Sequence, residues 1–246
     1  MKLSNLLKPS KYQGYLDFFL FSVKKLYKNA NLTFSQTGED LLIKSASRFL
    51  EITDPTYLDI GANHPIYLSN TFLFYLAGSR GVCIEPNPSL ASFFQKKRPR
   101  DTVLQIAIAP TNGITTLHIV SDNALSTTAK TQAAHFKQSS KHSVVQEIKV
   151  PAKTMADIID EYFPAKDPDI ISLDIEGMDL QVLESFDFHR SRPPIFCVET
   201  LTYDEAKNGK KITQIIDLMV SRDYFVFADT FLNTIFVDKR CWDKKK

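Results

Sequence analysis

Short apolar runs alternate with helix-patterned segments through most of this 246-residue chain, and that alternation restricts the fold more than any other feature. Tyr57-Leu-Asp-Ile60 reads as a strand ending at Gly61, Ser69 to Ala77 as a helix closed by Gly78, and Gly81 to Ile84 as the next buried strand. Pro88 to Lys97 follows as a helix and Thr102 to Ile108 as a third strand. Strands that alternate with helices build a parallel sheet with right-handed crossovers, and ligands settle at the carboxyl ends of its strands.

The pattern continues toward the C-terminus. Ile170 to Asp174 and Ile195 to Glu199 read as buried strands, and Thr154 to Tyr162, Asp179 to Ser185 and Thr213 to Ser221 as helices. Tyr224 to Ala228 and Thr234 to Val237 read as a closing hairpin-like pair, which brings the core to about seven strands, mainly parallel with an antiparallel one at the end. Ile114 to Val120 and Val144 to Val150 are strand-like runs around a polar stretch, Ser121 to Lys141, expected to be a mobile loop or lid that meets the substrate. Leu41 to Leu50 has helical spacing, with Asp40 or Ser35 as its cap. Tyr15 to Leu26 carries aromatics and lysines on a helical pattern suited to docking on the core, on a second copy or on a membrane surface. The expected division is a helical extension over residues 1–33 and one α/β domain over 34–246.

Composition narrows the class by exclusion. Lys plus Arg exceed Asp plus Glu by only 30 to 28, so no basic field of the kind that dominates nucleic-acid binding is present. Phe18-Phe-Leu-Phe21 is far shorter than the ~20 apolar residues of a membrane span, and no signal peptide is evident, so the expected location is cytoplasmic. Cys83, Cys197 and Cys241 are widely separated and fit neither a disulfide framework nor a zinc knuckle. They are read as reduced thiols, two of them within buried strands. His118, His135, His142 and His189 are read as solvated and have no metal-ligand spacing.

Three clusters carry chemistry. Asp59-Ile-Gly61-Ala62-Asn63 ends the first strand, and its single glycine lets a ligand approach the backbone. This is not the GxGxxG cradle that a dinucleotide pyrophosphate needs. S-adenosylmethionine has no phosphate, and its amino-acid end needs groups such as Asp59, Gly61 and Asn63. Glu85, in Ile84-Glu85-Pro86-Asn87, ends the second strand at the distance where nucleotide-binding α/β folds place a carboxylate for ribose hydroxyls. Asp174, Glu176 and Glu199 end two later strands, where carboxylates sharing a crevice can hold a divalent cation such as Mg2+ or raise one member's pKa for general-base work. Asp179 is expected to cap the following helix, and His64, beside the glycine turn, is placed to polarise or deprotonate a hydroxyl.

With these residues in view, the chain resembles the FkbM family of methyltransferases. The resemblance runs from Phe34 to about Tyr203 and is carried by Ser35-Gln-Thr-Gly-Glu-Asp40, Leu58-Asp-Ile-Gly-Ala-Asn-His-Pro65, Ser69-Asn-Thr71, Ile84-Glu-Pro-Asn-Pro88 and Leu173-Asp-Ile-Glu-Gly177. It implies a Class I, Rossmann-like methyltransferase fold and methyl transfer to a hydroxyl, commonly on a sugar, glycan or secondary metabolite. It puts Asp59, Gly61 and Asn63 at the methionine end of the cofactor, Glu85 at the ribose and Ala107 near the adenine, with Gln36 and Glu39 closing over it. Ala62, Pro86 and Asn87 complete the expected cofactor set; Asp174, His64 and Glu199 are the expected catalytic residues, and Asp174, Glu176 and Glu199 the expected cation ligands. The expected partners are a small-molecule or glycan acceptor and a second copy met through the N-terminal helix. Two rivals are a nicotinamide-dependent oxidoreductase, which the absent glycines disfavour, and a non-catalytic protein that keeps the fold, which the retained acids disfavour.

Overall fold

A computed structural model of the protein describes residues 31–139, 141–202 and 209–245. The helix expected over Tyr15 to Leu26, and with it most of the extension over residues 1–33, lies outside the described residues. The domain is a seven-stranded sheet in the order β3-β2-β1-β7-β8-β10-β9. β1 (Tyr57–Ile60), β2 (Gly81–Ile84), β3 (Thr102–Leu104), β7 (Ile170–Leu173) and β8 (Ile195–Glu199) run parallel. β10 (Asn233–Asp238) enters antiparallel between β8 and β9 (Tyr224–Asp229). The antiparallel strand is therefore terminal in sequence and internal in the sheet.

Period-two alternation along these strands separates two cores. Leu58, Ile60, Ile171, Leu173, Phe196, Val198 and Phe236 face one layer of helices, α5 (Met155–Tyr162), α6 (Asp179–Ser185) and α7 (Thr213–Ser221). Tyr57, Cys83, Ile170, Ile195, Cys197, Ile235 and Val237 face the other, built on α1 (Glu39–Phe49), α2 (Phe72–Leu76) and α3 (Pro88–Lys97). Strands buried on both faces read as continuous apolar runs, which is why they stood out in the sequence. Helix starts follow local chemistry: Asn87 caps α3 by accepting from Ser89 N at 3.0 Å with Pro88 in the first turn, and Thr154 caps α5 by accepting from Asp157 N at 3.1 Å. The short helix α8 (Lys239–Asp243) closes the described chain.

Several expectations need correction. The run Thr102 to Ile108 is two strands: β3 joins the main sheet, and β4 (Ala107–Ile108) turns into a separate three-stranded sheet with β6 (Val144–Lys153) and β5 (Gly113–Val120). The stretch Ser121 to Lys141 contains a 3-10 turn at Asn123–Leu125 and a helix, α4 (Lys130–Gln138), that buries Ala133 and Phe136. Its polar composition masked two apolar anchors at helical spacing. The helix from Ser69 shortens to α2, because Ser69 Oγ and Thr71 serve the turn before it. The N-cap position of α1 belongs to Gly38 at φ 94° rather than to Asp40 or Ser35, but both side chains serve its first turn: Ser35 Oγ accepts from Asp40 N at 3.3 Å and Asp40 Oδ1 from Leu41 N at 2.8 Å, while the Asp40 carboxylate also anchors Thr33, Phe34 and Ser35. His118 is buried on β5 and lies 3.1 Å from Glu147 rather than in solvent.

Candidate active site

The alternation that makes the second core also fills its end with polar groups. Following Tyr57, Ile170, Ile195 and Ile235 along one face of the sheet leads to Asp59, Ser172 and Asp174, Glu199, and Asn233 at the same edge. They line a cavity of about 610 Å³ at the carboxyl ends of β1, β2, β7 and β8, the place where open α/β sheets bind ligands. Its lining acids are Asp59, Glu85, Asp122, Asp174, Glu176 and Glu199, and no described lining side chain is cationic.

Backbone geometry sets the β1–β2 side. Gly61 has φ 78°, and a Cβ there would stand 1.8 Å from the carbonyl oxygen of Asp174, so no other residue fits between β1 and β7. Gly61 N and Ala62 N donate to Ile84 O at 3.1 and 3.0 Å, closing the turn against β2. Asn63, at φ 49°, aims its N–H at Glu85 Oε2 at 2.8 Å, and Asn87 N donates to Glu85 Oε1 at 2.8 Å. Each Glu85 oxygen therefore has one backbone donor and lone-pair capacity left for a ligand. Burial pushes Glu85 up to about 7, against those two bonds, which pull it down. Asp59 Oδ2 accepts from Thr71 Oγ1 at 2.5 Å. Burial raises the Asp59 pKa, with Arg98 and Thr71 acting in the opposite direction.

The β7–β8 side is an electrostatic cluster. One carboxylate oxygen from each of Asp174, Glu176 and Glu199 lies within 4.8 Å of the others. All three are pushed upward, first by burial and then by neighbouring negative charges that include Asp179. A hydrogen bond between Glu199 and Asp174 pulls the Asp174 pKa down and pushes that of Glu199 further up. Asp179 holds the turn before α6 rather than the helix itself: it accepts from Ile175 N at 3.1 Å and Gly177 N at 3.3 Å. That turn places Glu176 at φ 53°.

The cavity gathers Gln36, Asp59, Gly61, Ala62, Asn63, Glu85, Pro86, Ala107, Asp174, Glu176 and Glu199 from the expected set. Three other residues are placed differently. Asn87 is occupied as the α3 cap. Glu39 stands behind the wall, accepting from Thr37 N at 2.8 Å, Thr230 Oγ1 at 2.8 Å and Asn233 Nδ2 at 3.0 Å. Burial opposes its charge, but the Thr37 and Asn233 bonds prevail and hold it at about 2. His64 lines an adjoining groove instead, where its Nδ1 accepts from Ile66 N and Tyr67 N at 3.2 and 2.8 Å. Burial lowers its pKa.

Sequence reasoning gave no role to Asn70, Ser172, Asn123, Thr202 and Asn233, which are part of the polar lining together with Ser69, Ser126 and Thr128, or to Leu68 and Phe231, which are exposed and held at φ 56° and 73°. Period-two register from Glu199 and Asp174 could have found Ser172; Asn233 needed the β8–β10 pairing. Among the described residues no helix is long and apolar enough to cross a membrane.

A TehB-like SAM-dependent methyltransferase from Corynebacterium glutamicum aligns over 92% of this chain and 99% of its own at 10% identity and TM-score 0.44. An O-methyltransferase from Bacillus cereus in complex with SAH aligns over 96% and 94% at 12% identity and TM-score 0.42. At such scores the likeness adds nothing to the strand order given above. The curated proteins contain no match. The model of the methyltransferase FkbM domain matches residues 59–226, more than half of the chain, from the strand that carries Asp59 to the hairpin beyond Glu199. The chain belongs to the FkbM methyltransferase domain family.

Proposed function

We propose that the protein is an S-adenosylmethionine-dependent O-methyltransferase acting on a hydroxyl of a sugar, glycan or secondary metabolite. The observation that supports it most is the acidic pair Asp174–Glu199, whose carboxylate oxygens lie with one of Glu176 within 4.8 Å of one another beside the glycine turn, in a cavity without described cationic side chains.

The cofactor fits the residues present. Asp59 and the Gln36 side chain face its amino-acid end, Glu85 keeps a free acceptor on each oxygen for the ribose hydroxyls, and Ala107, Ile108 and Leu117 form an apolar wall for the adenine. Gly61, without a Cβ, lets the turn that lines the cavity pack directly against the Asp174 carbonyl beside it. Bound there, S-adenosylmethionine supplies an electrophilic methyl group on a sulfonium. Orienting two reactants in this way is worth ~7–11 kcal/mol of barrier. Asp174 then takes the proton of the attacking hydroxyl, contributing ~10²–10⁴-fold, and Glu199 holds it in place through their hydrogen bond. The cavity's acids also repel phosphate or carboxylate groups on the acceptor near the reacting atom.

A second reading is favoured by one distance: oxygens within 4.8 Å of one another suit one hard cation bound at ~2.0–2.6 Å from each. Asp174, Glu176 and Glu199 would hold a cation such as Mg2+, which lowers the pKa of a bound hydroxyl. Activity that is unchanged after complete chelation contradicts the cation.

The test of the function is transfer of labelled methyl from S-adenosylmethionine to acceptors bearing free hydroxyls. We expect label in a product stable to alkaline hydrolysis, as an ether is. Label that is released as methanol, or found on nitrogen, contradicts the hydroxyl assignment.

A further inference from the structure

Arg98 is the largest wholly buried side chain of the described domain. A guanidinium has five N–H donors and no acceptor, and here every donor is used. Nε donates to Asp101 at 2.7 Å, Nη1 to Ser69 Oγ at 3.3 Å and Pro65 O at 3.5 Å, and Nη2 to Tyr57 Oη and Thr71 Oγ1, each at 3.0 Å. The rings of Tyr57, Tyr75 and Phe94 surround it at 5.4, 5.2 and 5.1 Å. Three of the five bonds go to the loop between β1 and α2, which frames the cavity.

The direction of these bonds matters more than their number. Arg98 can only donate, so Thr71 Oγ1 must accept from it, and the single Thr71 hydroxyl proton is left for Asp59 Oδ2 at 2.5 Å; the alternative acceptor, Ser69 Oγ, is 3.5 Å away. Asn70 acts likewise on the other side: its Nδ2 donates to Ser172 Oγ at 3.2 Å, and Ser172 bonds to Asp59. We propose that Arg98 is a positioning residue that, through Thr71, sets the direction and charge of the Asp59 carboxylate, the group that receives the cofactor's amino end. This rests on the cofactor reading above. Asp59 is faced by Arg98 and Asp101 from behind, by Thr71 and Ser172, by Glu85 from β2, by Asp174 from β7, and by the thiols of Cys83 and Cys197.

Thr71→Val is close in shape and removes only the link; Thr71→Ser keeps it. The readouts are calorimetric S-adenosylhomocysteine affinity and the titration of the Asp59 carboxyl by carbon NMR in the unliganded protein. Thr71→Val should weaken binding about 10-fold or more, the loss of one hydrogen bond to a charged group, and move the Asp59 titration upward. Thr71→Ser should restore both. Arg98→Lys, with three donors for five acceptors, should act in the same direction, and adding Thr71→Val to it should weaken binding little further, because both cut one chain. Unchanged affinity and unchanged Asp59 titration in Thr71→Val overturn the proposal, as do fully additive losses in the double variant. If the wild-type protein takes no S-adenosylhomocysteine, the cofactor reading fails by itself, and the Asp59 titration still decides the link: a shift in Thr71→Val that Thr71→Ser reverses upholds it, and no shift overturns it.

Discussion

The two sides of the cavity are built on opposite principles. On the β1–β2 side each polar group is already held: Glu85 by two backbone N–H groups, Asp59 by Thr71 and Ser172, and the turn itself by a glycine packed against Asp174 O. On the β7–β8 side Asp174, Glu176 and Glu199 face one another with carboxylate oxygens within 4.8 Å and no described cationic partner lining the cavity. A pre-organised side loses little on binding a ligand and suits an invariant cofactor. A side of crowded acids is raised in energy until a proton, cation or donor arrives, and suits chemistry. On the proposed function, fixed backbone geometry and stored charge would separate holding from reacting within one crevice.

The contrast breaks most visibly at Gly61. Gly61→Ala must displace the Asp174 carbonyl oxygen, which would otherwise stand 1.8 Å from the new Cβ, and adopt φ 78°, so we expect a loss of about 2–6 kcal/mol of stability together with ligand binding, read by denaturant unfolding. Asp174→Asn should reduce methyl transfer by about 10²–10⁴ while leaving S-adenosylhomocysteine affinity nearly intact, measured by single-turnover kinetics beside calorimetry. Glu85→Gln should do the reverse, weakening affinity by about 1.5–3 kcal/mol, the value of a hydrogen bond to a charged group.

Smaller effects sharpen the same division through pH. Glu85 and the acids of the β7–β8 side have folded pKa values raised above their unfolded ones. Their contribution to stability is present below the unfolded value and is lost as pH rises through about 7, where Glu85 titrates. Glu39, held at about 2, works in the other direction, stabilising above its unfolded value and losing that as pH falls. Unliganded protein should therefore become less stable between pH 5 and pH 8, in contrast to a protein dominated by depressed carboxyls. Glu199→Gln, which removes one repelling charge, should flatten that slope and raise Tm by about 2–4 °C, equivalent to ~1 kcal/mol in a domain of this size.

Much of this could be read from the chain because the candidate site residues mark the strand ends: Glu85, Asp174 and Glu199 each close an apolar run, and Asp59 stands one residue inside the end of another. Long-range pairing was harder. Asn233 reaches the cavity only because β10 inserts beside β8, and no local pattern carries that. Composition also misled, since the polar stretch after Ser121 hides α4, and Glu39, placed by resemblance over the cofactor, spends its lone pairs on Thr37, Thr230 and Asn233. His64 likewise sits beside the right turn in sequence while its ring nitrogen is engaged by the backbone of Ile66 and Tyr67.

The most direct measurement is thermal unfolding of the wild-type protein with and without S-adenosylhomocysteine. Ligand at 100 times its dissociation constant adds ~2.7 kcal/mol, or roughly 5–11 °C for a chain of this length; we expect that shift, retained in Asp174→Asn and reduced in Glu85→Gln. An unchanged Tm at saturating ligand, or a shift that Glu85→Gln leaves whole and Asp174→Asn abolishes, contradicts the division between a holding side and a reacting side.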